Sequence, residues 1–237
     1  MPLTAVRQVR KMRGGAQAHL LQADDGHWYV VKFRNNPQHR RVLINELLAA
    51  ALLDYLKVSA PETALLHITP AFLQSNLEVH LTLGARRIEV TPGWHFGSRY
   101  PGDPSRIAVY DFLPDALLAG VANLEDFRAI LVFDKWTGNA DGRQAVFHRA
   151  MVRSGEGGHQ AFVARMIDHG YCLLYTSGGR GVAEARKKGH TACRTRHTYP
   201  GIKSGYGCIV LWFWCRVLTI VPPGGPSKCF IFTVWSS

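Results

Sequence analysis

A chain of 237 residues, 47% hydrophobic and 11% aromatic, suits a globular protein with a real core, either one large domain or two small lobes around a cleft. The formal net charge of +11 would suggest a nucleic-acid partner if it covered one face. It does not: residues 172–237 hold nine lysines and arginines against the single acid Glu184, a net of +8, which leaves +3 on residues 1–171, so no specific nucleic-acid partner is expected.

In chain order, Val6 and Val9 lead to Arg13-Gly14-Gly15, and the alternating run Ala16–Gln22 follows. Asp24-Asp25-Gly26 is a hairpin-turn signal, and His27–Phe33 then alternates with Trp28, Val30 and Lys32 on one face and Tyr29, Val31 and Phe33 on the other. Arg41–Leu56 predicts a helix, with apolar residues at 43, 44, 47, 48, 51, 52 and 56 forming its packed side. Val58–Ile68 contains a turn at Ala60-Pro61 and a strand, and Leu77–Val90 suits two short strands. Pro92–Pro104, rich in Gly, Pro and aromatics, reads as a connector. Ile107–Phe112 is extended, and Leu113–Leu118 and Leu124–Phe133 read as helices. Gly138–Gly142 is a polar loop, and Ala145–Val152 with Gln160–Ile167 forms a hairpin turning at Ser154–Gly158. The fold class expected is α+β, two-lobed.

Four features in this order carry chemistry. Arg13-Gly14-Gly15-Ala16 lies between strands, where small residues let backbone amides approach a polyphosphate; alone, Gly-Gly is an ordinary turn. Lys32 sits among strand apolars and can hold phosphate oxygens as a point charge. Glu46 is the only acid in the first half of the Arg41–Leu56 helix; a carboxylate near a packed face needs a partner, for which Lys32 is the candidate and Arg40 or Arg41 the alternative. The loop Asn139-Ala140-Asp141-Gly142 offers Asp141 to orient a hydroxyl nucleophile, with Asn139 or Gln144 as a metal ligand. Finally, Asp168 ends a strand before His169-Gly170 and can hold Mg2+.

Together these residues resemble the HipA-like kinases, in particular short bacterial members that lack the long N-terminal domain. The segments that carry the resemblance are Lys11–Ala16, Trp28–Phe33, Glu46, His95–Pro101, Tyr110–Leu118, Phe133–Phe147 (FDKWTGNADGRQAVF) and Ile167–Tyr171 (IDHGY), spanning about residues 5–171. The resemblance implies a protein-kinase-like fold: a β-rich N-lobe with one helix over residues 1–100, and a truncated C-lobe over 101–171. It implies ATP and Mg2+ as cofactors and a protein Ser/Thr hydroxyl as acceptor. By position, Lys32 would bind ATP phosphates beside Arg13, Gly14, Gly15 and Ala16, Glu46 would anchor Lys32, Asp141 would be the catalytic aspartate, and Asp168 would stand at the metal-binding Asp of Asp-Phe-Gly. Many related kinases carry Asn five residues after the catalytic Asp; Val146 stands there, leaving Asn139 or Gln144 to complete the metal set. A non-catalytic nucleotide-binding protein is the competing reading.

The tail reads differently. All five cysteines lie at 172, 193, 208, 215 and 229, without the spacing of a zinc site. Cys172–Ser177 (CLLYTS) resembles a translated sequencing-library transposon end, so residues 172–237 are expected to be a chimeric, frameshifted or adapter-derived stretch, non-native or disordered. Two alternatives rank lower: a membrane anchor at Cys208–Val221, short and interrupted by Arg216, and a nucleic-acid-binding stretch at Arg180–Lys203. Met1–Arg13 is basic without the apolar core of a secretory signal, and a cytoplasmic location is expected.

Overall fold

Period-two alternation in the first hundred residues closes into a barrel. The computed structural model describes residues 3–36, 41–154 and 157–173; the tail expectations beyond Leu173, the anchor and nucleic-acid readings included, lie outside the described residues. In chain order the elements are β1 (Leu3–Lys11), β2 (His19–Ala23), β3 (Trp28–Lys32), α1 (Arg41–Tyr55), β4 (Thr63–Ile68), α2 (Pro70–Ser75), β5 (His80–Leu83) and β6 (Arg86–Glu89). Then come β7 (Gly93–Arg99), β8 (Val109–Tyr110), α3 (Asp115–Leu118), α4 (Glu125–Thr137), β9 (Gln144–Ser154) and β10 (Gly157–Ile167). The chain is a strand-rich α+β protein, as its alternation predicts.

Five strands close in the order β1-β2-β3-β7-β4, antiparallel except for a parallel β1–β4 seam. Strand β3 shows the expected two faces. Tyr29 and Val31 are buried in the barrel core with Leu21, Leu66 and Ile68, and Phe33 joins them just beyond the strand. Lys32 belongs to the opposite face, so the pleat carries its ammonium out of the core.

A second core lies beneath the β9–β10 hairpin. The register Gln144↔Ile167, Ala145↔Met166, Val146↔Arg165 and Phe147↔Ala164 sorts side chains by face. Ala145, Phe147, Ala164 and Met166 belong to the core with Leu118, Ile130 and Phe133, while Gln144, Val146, Arg165 and Ile167 line a cavity on the other side. Cys172 is buried in this core and Leu173 packs against it, so the first two residues of the expected tail join the body. Helix α4 ends on Gly138 in the left-handed conformation (φ 63°), a helix stop that suits glycine; it runs one turn beyond the expected Phe133.

Three expectations are corrected. Pro92–Pro104 is not only a connector: β7 pairs with both β3 and β4. An added Cβ at its Gly97 would displace the buried Leu66 methyl, so the glycine that reads as a loop marker is a packing site. The first hundred residues hold two helices, since α2 starts with Thr69, whose Oγ1 accepts from Phe72 N at 3.1 Å, and with Pro70 at its first position. Helix α1 packs by a different face from the one its apolar pattern suggests. Its buried residues are Val42, Asn45, Glu46, Ala49, Ala50 and Leu53, spaced i, i+3, i+4, i+7, i+8, i+11, whereas Ile44, Leu47, Leu48 and Tyr55 are exposed. Two polar anchors explain the choice: Asn45 donates to Gly170 O at 3.1 Å and Glu46 pairs with Lys32. Among the described residues no helix is long and apolar enough to cross a membrane.

This face assignment predicts an asymmetry in denaturant unfolding. Leu53→Ala should cost about 2–5 kcal/mol, and Ile44→Gln should stay within about 0.5 kcal/mol. A large loss for Ile44→Gln with a small one for Leu53→Ala would mean that α1 packs by its apolar stripe.

Candidate active site

The site is organised by one ammonium. Lys32 Nζ donates to Glu46 Oε1 and, at 2.9 Å, to Asp168 Oδ1, so β3, α1 and the end of β10 converge on it. Glu46 Oε2 also accepts from His169 N at 3.2 Å, which ties the helix to the backbone after Asp168. Alternation along β10 would send Asp168 away from the cavity that Ile167 faces, but Asp168 adopts a left-handed φ of 61°. That conformation is uncommon outside glycine and more tolerable for Asp than for most residues; here it lets the carboxylate meet Lys32.

Charge is sorted by burial. For Lys32, burial alone would lower the pKa, but Glu46 and then Asp168 outweigh it and hold the ammonium above its ordinary value. At both carboxyls burial pushes up and Lys32 pulls down. Burial prevails at Glu46, whose side chain is 4% exposed, and Lys32 prevails at Asp168, 27% exposed; Glu46 ends above the usual carboxylate value and Asp168 below it. Asp168 is therefore the better anion, and it is the one open to the cleft.

These groups open into a cavity of about 230 Å³. Its lining includes Arg13, Gly14, Gly15 and Ala16 from the β1–β2 turn and Lys32, Glu46, Gln144, Val146 and Asp168 from below. Gly14 has φ 114°, a backbone conformation that side-chain-bearing residues avoid, and Gln17 N donates to Gly14 O at 3.2 Å to close the turn. Gln144 Nε2 donates to Asp168 Oδ2 at 3.1 Å. A magnesium ion typically takes one or two carboxylates, with phosphates and water filling its octahedron; Asp168 with the amide oxygen of Gln144 would suit that donor chemistry, and among the described residues no group of three or more His, Cys, Asp or Glu side chains is placed to hold a metal.

The Asn139–Asp141 loop is placed differently. Asn139 Nδ2 donates to Asp134 Oδ1 at 3.0 Å and its Oδ1 accepts from Asp141 N at 3.2 Å, while Asp141 Oδ1 accepts from Gly142 N at 2.8 Å. Asp141 is exposed, and neither residue belongs to the cavity lining. Of the two side-chain candidates for completing a metal set, Gln144 lies beside Asp168 and Asn139 is committed to its own loop.

Sequence reasoning passed over the pair that joins this loop to Asp168. Arg143 engages Asp134 through two nitrogens, Nε to Oδ2 at 2.9 Å and Nη2 to Oδ1, the bidentate geometry in which guanidinium and carboxylate match best. Its Nη1 donates to Ile167 O at 2.7 Å and lies 2.8 Å from His169 Nδ1. Arginine has no acceptor, so His169 Nδ1 accepts and Nε2 carries the proton, donating to Met166 O at 3.0 Å. Burial, then the Arg143 charge, lower the His169 pKa to about 3. Spacing offered no signal for this pair, because Asp134 lies on α4 and Arg143 beyond the loop; only the folded loop brings them together.

A family model of the HipA-like kinases matches residues 5–148. The chain belongs to the HipA-like kinase family. No curated protein matches the chain, and no solved structure does either. The glycine turn, Lys32, Glu46, Asp141, Arg143 and Gln144 lie inside the match to the HipA-like kinases. Asp168 lies beyond it and joins the site by its contact with Lys32.

The buried, neutral His169 sets a sign for acid sensitivity. Its folded pKa is below its unfolded one, so its contribution is complete above about 6.5 and is lost as pH falls toward about 3. His19 and His95, each lowered to about 4 chiefly by burial, act in the same direction. Unfolding free energy should fall over this range, and His169→Phe should make the slope shallower by up to one proton, about 1.4 kcal/mol per pH unit. Equal slopes in the two proteins would mean that His169 is not held neutral.

Proposed function

We propose that this chain carries the site of an Mg-ATP-dependent kinase that transfers phosphoryl to a serine or threonine hydroxyl of a protein. The observation that carries the reading is the Lys32 ammonium, fixed between Glu46 and Asp168 at the wall of a cavity roofed by the Gly14-Gly15 turn. Phosphoryl transfer needs little covalent help from a protein; it needs position and compensating charge. The amides of the glycine turn and Lys32 would hold the phosphates, and Glu46 would keep Lys32 from swinging into solvent. Magnesium, bound by Asp168 with Gln144 nearby, would supply the positive charge that a triphosphate demands. Asp141, exposed to solvent, would receive the proton of the incoming hydroxyl, where the bulky acceptor can reach it. The Arg143 bridge would hold the Asp141 loop in register with Asp168.

A second reading, nucleotide binding without transfer, draws on Val146 at the position where many related kinases place a metal-binding Asn, and on the absence of Asp141 from the cavity lining. Turnover separates the two. In an ATP-turnover or autophosphorylation assay, Asp141→Asn should lower kcat by about 10²-fold or more while ATP affinity stays unchanged. Equal turnover in both proteins would remove Asp141 from the mechanism; tight ATP binding with no turnover by the unaltered chain would establish the non-catalytic reading.

A further inference from the structure

The cations around the cleft differ in how they are compensated. Lys32 has two carboxylates. Arg99 pairs with Glu62 at 2.6 Å and lies 2.9 Å from His27 Nε2. Arg13, in the glycine turn, is exposed to water. Arg165 has no such partner. It sits on β10 opposite Val146, and both residues line the cavity. Its Nε is enclosed and has no hydrogen-bond partner, and it forms no ion pair with any described carboxylate.

The surroundings make this costly. Burial lowers the Arg165 pKa, with Glu62 opposing and Arg99 adding to the effect; Glu62 is already engaged by Arg99. His148 lies on the same face of the hairpin as Val146. It is buried, its Nδ1 has no partner, and its pKa is lowered by burial and then by Arg165 itself. It offers no negative charge. A guanidinium cannot shed its proton in a protein, so this partly buried group calls for an acceptor from a ligand or a water in the cavity.

The position says which part of a ligand that acceptor belongs to. Arg165 precedes Asp168 by three residues, on the order of 10 Å along an extended strand, and lies within electrostatic reach of Arg99, the residue before the cavity-lining Tyr100 and Pro101. Lys32 and Asp168, the groups that would hold the phosphates, meet each other at 2.9 Å at that distance along the strand. Resting on the nucleotide reading above, we propose that Arg165 donates hydrogen bonds to the nucleoside half of the bound nucleotide and is a specificity-determining residue of this site.

Calorimetric titration of the full 237-residue chain with ATP and with adenosine tests this, using Arg165→Gln, Arg165→Lys and Lys32→Met. Arg165→Gln should weaken ATP and adenosine by a similar factor, about tenfold, with partial recovery in Arg165→Lys, while its thermal midpoint stays at or above that of the unaltered chain. Lys32→Met should weaken ATP and spare adenosine. Unchanged adenosine affinity in Arg165→Gln, or a loss confined to ATP, would overturn the assignment and leave the kinase reading standing. Failure of the unaltered chain to bind ATP would overturn both.

Discussion

A lysine withdrawn from water must be compensated, and in this protein the compensation shapes the fold around it. Lys32 leaves the barrel on β3 and meets Glu46 of α1 and Asp168 after β10. Three segments far apart in sequence converge on one positive charge. Removing one partner of a buried pair strands the other, at about 3–5 kcal/mol, so the contact determines which way α1 faces. Asn45 reinforces it by donating to Gly170 O, and Gly170 must be glycine because an added Cβ would collide with Val42. The facing of the helix and the placement of Asp168 thus follow from one electrostatic constraint.

That constraint separates what was legible in the sequence from what was not. Lys32 could be placed because period two puts it opposite Val31 and Phe33, and Glu46 because it is the one acid in an otherwise apolar stretch of helix. Which side of α1 is inside could not be read from hydrophobicity. Ile44, Leu47, Leu48 and Tyr55 outweigh Val42, Ala49, Ala50 and Leu53 in apolar bulk, yet the first set is exposed and the second buried. Two hydrogen-bonded polar groups and small residues that allow close approach decided against the apolar stripe. Strand β7 was missed for a related reason: Gly93 and Gly97 read as loop signals, but Gly97 is where the Leu66 side chain packs across the sheet.

The candidate site residues divide in the same way. The Asn139–Asp141 loop and Asp168 stand out as motifs; the loop is held by its own local hydrogen bonds, and Asp168 by Lys32 and Gln144. What joins them is Arg143, which no motif singles out. It clamps Asp134 on α4 and reaches Ile167 O and His169 beside Asp168. A contact made across a folded loop leaves no periodic trace, so only the folded chain reveals it. The family match ends at residue 148, before Asp168, and the bridge from Arg143 to the Ile167–His169 segment crosses that limit physically. Cys172 extends the same continuity by packing into the core under the hairpin.

The proposed function stands on Lys32 and Asp168, which meet at 2.9 Å, forming one magnesium-dependent phosphate site. Its most direct test is equilibrium ATP binding by the 237-residue chain, titrated with magnesium, beside Asp168→Asn. The account predicts that magnesium strengthens ATP binding and that Asp168→Asn loses this gain while retaining a weaker, magnesium-independent affinity through Lys32. ATP binding that ignores magnesium in the unaltered chain, or an undiminished magnesium effect in Asp168→Asn, would contradict it.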